Sequence, residues 1–147
     1  MSKRLLKERG MLEKSPLPFV AIITLVGEDI FNWECTLVGP DDTPYQGGLF
    51  VLSLSFPAQY PFKAPSLKFK TKTYHPSVSL ESGEICADVI GNWGPTLNAK
   101  HCLEVAYSLL QTPQADHPVE DEIAQQLREK PKEFEKTARK YTKEYAK

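Results

Sequence analysis

The sequence predicts an α+β domain: an N-terminal helix, a four-stranded antiparallel meander sheet, an irregular segment and three C-terminal helices. Three observations carry this. Four short runs between residues 20 and 70 are β-branched or alternate apolar with polar, and turn-rich connectors separate them. After residue 98 the apolar spacing changes to three and four. Consecutive strands with short connections make a meander, and strands segregated from helices mark the α+β class.

The first helix, Ser2 to about Leu12, is rich in good helix formers, with Ser2 as its expected N-cap. Leu5 and Leu12, with Glu8 or Arg9 between them, make only a partial apolar stripe. Gly10 weakens the end and Ser15-Pro16-Leu17-Pro18 stops it. Val20–Val26 is the first strand. Phe31–Leu37 is the second, its alternation calling for a sheet with one wet face and placing Cys35 in the core with Trp33. In the third, Phe50, Leu52, Leu54 and Phe56 form an apolar face; Ser66–Lys70 is the fourth. The separators, Val26-Gly27-Glu28-Asp29, Gly39–Pro44 and Gly47-Gly48, are turn chemistry.

From Tyr74 to Leu97 the periodicity disappears, and a long irregular segment in a compact domain is usually functional. Helices return at about Asn98–Gln111 (Leu103, Ala106, Tyr107 and Leu110 on one face) and about Val119–Arg128. The last begins near Pro131, with Phe134, Ala138, Tyr141 and Tyr145 in phase.

At 147 residues the chain is expected to be one domain, 1–147, burying roughly 68–70% of its unfolded surface without a disulfide or metal staple. Eighteen Lys+Arg against nineteen Asp+Glu give a net charge of −1, which argues against nucleic acid as the main partner. The longest apolar stretch, Phe19–Val26, is broken by Thr24 and far below the ~20 residues a membrane span needs. The first residues lack the apolar core of a secretory leader. Three unclustered cysteines fit free thiols in a reducing compartment, so cytoplasm and nucleus are the expected locations.

The irregular segment holds His75-Pro76-Ser77 and Gly83-Glu84-Ile85-Cys86-Ala87-Asp88. Cys86, flanked by glycine and polar residues, reads equally as an exposed nucleophile and as an inert packed thiol. Cys35 and Cys102 fall in apolar patterns and read as structural. The His and Cys spacings do not match a zinc site, and no metal is expected. A Cys86–His75 protease dyad is conceivable, but a histidine preceding Pro76 reads better as bonded to backbone. The basic N-terminal residues read first as a solvated helix face. Phe62, between Pro61 and Pro65, is a packing ring or, if exposed, a binding anchor; Trp93 beside Gly94-Pro95 invites the same pair of readings, packing first.

Taken together these residues resemble the ubiquitin-conjugating enzyme family. The ordered set is Gly39-Pro40, Pro44-Tyr45-Gln46-Gly47-Gly48, Phe56-Pro57, Tyr60-Pro61-Phe62, Pro65, Tyr74-His75-Pro76, Gly83–Asp88, Trp93-Gly94-Pro95, Asp116-His117-Pro118 and Tyr141–Ala146. The resemblance runs through the whole chain and implies the same order of elements. It also implies that Cys86 accepts ubiquitin from an activating enzyme as a thioester and passes it to a lysine or to a ligase cysteine. No cofactor is implied, since the activating enzyme uses the ATP. The rival within the same fold is an adaptor that binds ubiquitin without forming a thioester.

Residue by residue, the resemblance gives Asp88 the position of an acid near the incoming lysine, and His75 and Pro76 the structural motif of the active site. Lys3, Arg4 and Lys7 fall on the face that meets the activating enzyme. Pro61, Phe62, Pro95 and Thr96 match two loops gripped by ligases, with RING, HECT and RBR types as expected partners of a monomer. Two departures stand out. The family's His-Pro-Asn reads His75-Pro76-Ser77, losing an amide credited with supporting the oxyanion or the loop; Asn92 is a candidate substitute. Where many members carry two acids, this chain has Asp116-His117, resembling the branch that passes ubiquitin mainly to ligase cysteines. Both changes are expected to favour thiol acceptors, with Asp88 arguing the other way.

Overall fold

The computed structural model describes residues 2–85, 91–116 and 118–147. Its elements are α1 (Ser2–Lys14), β1 (Val20–Val26), β2 (Asp29–Val38), β3 (Leu49–Ser55), β4 (Ser66–Phe69), α2 (Ala99–Gln111), α3 (Asp121–Glu129) and α4 (Pro131–Tyr145). The strands form one antiparallel sheet in chain order, the predicted meander.

Register explains the core. Trp33 of β2 sits opposite Leu54 of β3, which sits opposite Leu67 of β4; Cys35, Leu52 and Phe69 make the next row. All six are buried, because period-2 alternation sends them to one face. The β1–β2 hairpin turns on Gly27 and Glu28, both at positive φ, as a tight two-residue hairpin demands. Leu5 and Leu12 of α1, Ala99, Cys102, Leu103, Ala106 and Leu110 of α2, and Phe134 and Ala138 of α4 join the same hydrophobic cluster. Phe19 stacks on Tyr107 with ring centroids 4.1 Å apart.

Four helix boundaries differ from expectation. Ser2 is the first helical residue rather than the cap before it, and α1 runs through Gly10 to Lys14, stopping where Pro16 forbids continuation. Asn98 is the N-cap of α2, its side-chain oxygen accepting from His101 N. The third helix starts at Asp121 rather than Val119, because Glu120 is extended (φ −114°, ψ 96°) and serves as its N-cap, while the N–H groups of Val119 and Glu120 donate to Pro76 O. On α4, Tyr145 stays largely exposed, while Thr142 is buried with its hydroxyl near the carbonyls of Pro44 and Ala138.

Candidate active site

His75 organises the irregular segment. Its ring is buried; Nε2 lies 2.7 Å from Leu109 O, and Nδ1 accepts from Ser77 N at 2.9 Å. A carbonyl can only accept and an amide N–H can only donate, so the ring is neutral with its proton on Nε2. Leu109 is among the last four residues of α2, whose carbonyls lack helical partners, and the imidazole satisfies one of them. Burial pushes the His75 pKa down to about 4, against the smaller upward pull of the Leu109 bond. With both nitrogens held by backbone, His75 has no free lone pair to offer a cysteine.

Two sets of bonds fix the Ser77 loop. Pro76 O accepts from Val119 N (2.8 Å) and Glu120 N (3.0 Å), while Leu80 N donates to the Glu120 carboxylate at 2.8 Å. Residues 76–80 are thereby tied to Val119 and Glu120, just before α3. Isolated bridges then pair Val78 with Ile85 and Lys68 with Glu84, and Ser79 N donates to Glu84 O. The chain thus reaches Ile85, the residue before Cys86, alongside the residue after Ser77.

Gly83 makes that approach feasible. Its φ is +80°, and a Cβ there would lie 1.9 Å from Phe69 O. No other residue fits between β4 and this loop.

Ser77 is 3% exposed, whereas Asp116 and Asn92 are exposed. Cys86, Asp88 and His117 lie outside the described residues. Cys35 and Cys102 are buried, and burial pushes both thiols up to about 12, with the nearby Glu8 carboxylate adding to the effect at Cys102. Neither is a usable nucleophile at neutral pH.

A second group of residues gathers at the end of the molecule where α1 meets two loops. Phe62 is 75% exposed, a ring that packing does not account for. Pro95 and Thr96 are exposed on the other loop. Trp93 joins the two: its Nε1 donates to Pro61 O at 2.6 Å, and its ring lies 6.0 Å from that of Tyr60. Packing is therefore its role. Lys3 and Lys7 are exposed on α1. Arg4 is half-buried beside them, its Nε on Glu8 and one terminal nitrogen on the carbonyls of Pro95 and Leu97.

Glu8 and Glu120 are the residues that the sequence did not single out, and Tyr60 was read only as part of the Tyr60-Pro61-Phe62 motif, without its bond to Glu8. Glu8 interrupts an apolar stripe, the one signal that could have singled it out. Among the described residues no group of three or more His, Cys, Asp and Glu side chains is arranged to hold a metal ion, and no helix is long and apolar enough to cross a membrane.

The family model described as ubiquitin-conjugating enzyme matches residues 4–142. The chain is 42% identical over 145 residues to ubiquitin conjugating enzyme E2 B of Dictyostelium discoideum, covering 99% of this chain and 97% of that protein. Among solved structures it resembles the E2 domain of a Toxoplasma gondii ubiquitin conjugating enzyme (TM-score 0.89, 35% identity, 99% of this chain and 98% of that one). A Plasmodium yoelii structure titled as a ubiquitin conjugating enzyme matches at TM-score 0.90 and 37% identity, over 97% and 93% of the two chains. The fold, the ordered motifs and these relatives agree: the chain belongs to the ubiquitin-conjugating enzyme family, a ubiquitin-conjugating transferase by class whose general partners are ubiquitin, an activating enzyme and a ligase.

Proposed function

We propose that the chain carries ubiquitin as a thioester on Cys86 and delivers it to a ligase cysteine in preference to a lysine. The Cys86 thiolate attacks the carbonyl carbon of the thioester held by the activating enzyme. A new C–S bond forms, and the activating enzyme's sulfur leaves as a thiolate. In the second exchange an incoming thiolate attacks the Cys86 thioester and the Cys86 sulfur leaves. No electrons change hands, and this chain needs no cofactor of its own.

The observation that carries the preference is Ser77. It stands where the family has asparagine, and it is buried in a loop held by His75 on one side and by Val119 and Glu120 on the other. One positioned donor at a tetrahedral oxyanion is worth about 2.7–4 kcal/mol, and serine reaches less far than an amide. A lysine feels the loss most, because its amine must also shed a proton, whereas a thiol ionises readily near neutral pH. Asp116-His117, in place of two acids, weakens the help available to a lysine in the same direction.

The surface of Phe62, Pro95 and Thr96, with Pro61 behind it, is the proposed ligase contact, and Lys3, Arg4 and Lys7 the proposed contact for the activating enzyme. Ligases that form their own ubiquitin thioester, of the HECT and RBR types, suit a thiol preference better than RING ligases, although all three would share the surface.

The test is a discharge assay. The chain, loaded with ubiquitin by activating enzyme and ATP, is freed of both and chased with free cysteine or free lysine on non-reducing gels. Discharge to cysteine at least tenfold faster, relative to a family member with His-Pro-Asn, is the expected result. Equal relative rates would refute the preference, and loading of a Cys86→Ala variant would refute the site.

A further inference from the structure

Glu8 is a carboxylate where an apolar residue would complete the buried Leu5–Leu12 stripe, and its side chain is only 12% exposed. A carboxylate so placed costs stability unless it is fully bonded, and this one is. Tyr60 Oη donates to it from 2.8 Å of both oxygens, Ala99 N donates at 2.8 Å, and Arg4 Nε at 2.8 Å. These three donors belong to three separate parts of the chain.

Their positions give the arrangement its meaning. Tyr60 immediately precedes Pro61-Phe62. Ala99 is the first residue of α2, so its N–H is one of those a helix start leaves unpaired, and it lies just after Pro95-Thr96. Arg4, held by Glu8, extends to the carbonyls of Pro95 and Leu97 at 3.2 Å each. One carboxylate on α1 therefore anchors both loops of the exposed surface, and the Trp93–Pro61 bond closes the circuit.

We infer that Glu8 is a positioning residue that locks the Tyr60–Phe62 and Pro95–Leu97 loops to each other through α1, and so sets ligase affinity without touching the ligase. The inference rests on the proposed reading of Phe62, Pro95 and Thr96 as the ligase contact. A partner that grips both loops needs them at a fixed spacing, and binding to loops that must first be ordered is weaker. Loss of the carboxylate frees both loops together.

Two conservative variants test this. Glu8→Gln keeps the shape but removes the charge that holds Arg4. Tyr60→Phe removes one hydroxyl and keeps the ring that packs on Phe56 and Trp93. Amide exchange would be measured across the full chain, and an isolated RING domain selected for binding the wild-type chain would be titrated against each protein. For Glu8→Gln, exchange at residues 61–63 and 95–98 is expected to rise about tenfold or more, with β2 and β3 unchanged. The RING domain Kd should rise about tenfold for Glu8→Gln and severalfold for Tyr60→Phe, with discharge of the preloaded chain to free cysteine within twofold of wild type.

Loosening of one loop only, or an unchanged Kd for both variants, would overturn the inference provided that Phe62→Ala weakens binding. If Phe62→Ala also binds normally, the surface reading is what fails, and the exchange data alone then decide whether Glu8 couples the loops. Should Glu8→Gln fail to fold, shown by the loss of its thermal transition, Tyr60→Phe decides both points: its two loops must exchange faster together.

Discussion

His75 makes the stability of this protein depend on pH in a calculable way. An exposed histidine has a pKa of 6.5, while burial holds this one at about 4. At neutral pH the ring is uncharged in both the folded and the unfolded chain, so it contributes no penalty. As pH falls through 6.5 the unfolded chain takes up a proton that the folded ring refuses, and the folded state loses ground. The loss is complete near pH 4, below which both forms are protonated. A difference of 2.5 pKa units at 1.36 kcal/mol each is about 3 kcal/mol, a large part of a domain's net stability. Burial is the cause, and the geometry agrees with it: Nδ1 faces the Ser77 N–H, so a proton placed there sets two donors against each other. Urea unfolding of wild type and His75→Asn between pH 8 and pH 4 measures it. The variant should be less stable at pH 8 because its side chain cannot fill the ring's place, yet its additional loss by pH 4 should be about 3 kcal/mol smaller. Parallel curves for the two proteins would refute the reasoning.

Three further outcomes follow from the geometry. Gly83→Ala should destabilise the chain by more than about 2 kcal/mol, since a Cβ would collide with Phe69 O at a φ of +80°; a change in Tm within 1 °C would contradict this. Phe62→Ala should leave Tm within about 2 °C of wild type while weakening ligase binding tenfold or more, because a ring this exposed stabilises the fold little; equal binding by titration calorimetry would count against the surface. Ser77→Asn should accelerate discharge to free lysine by about tenfold or more with little effect on discharge to cysteine; an unchanged ratio would remove Ser77 as the source of the preference.

Much of the architecture is legible because it rests on local periodicity. That Trp33, Cys35, Leu52, Leu54, Leu67 and Phe69 share one buried face follows from alternation, and Pro131 opens α4 as its fixed φ suggests. Boundaries set by distant partners are not legible in that way. Val119 and Glu120 suit a helix, but Glu120 is extended and both N–H groups reach Pro76, more than forty residues earlier. Glu8 is harder still, because two of its partners lie 52 and 91 residues away and the sequence shows only a charged residue on a charged helix. The His75-Pro76-Ser77 and Gly83–Ile85 segments were recognisable as motifs, and the structure adds the bonds that hold them together. Arg4, read as part of a surface face, also ties α1 to the 95–97 loop, a bond that the sequence does not show.

The most direct test is the chemistry of the ubiquitin adduct itself. Intact mass spectrometry after brief incubation with ubiquitin, ATP and activating enzyme should show one species heavier by ubiquitin less one water. Dithiothreitol should remove the adduct within minutes, Cys86→Ala should abolish it, and Cys35→Ser should leave it in place. An adduct that survives dithiothreitol, or one that forms without Cys86, would contradict a thioester at this residue.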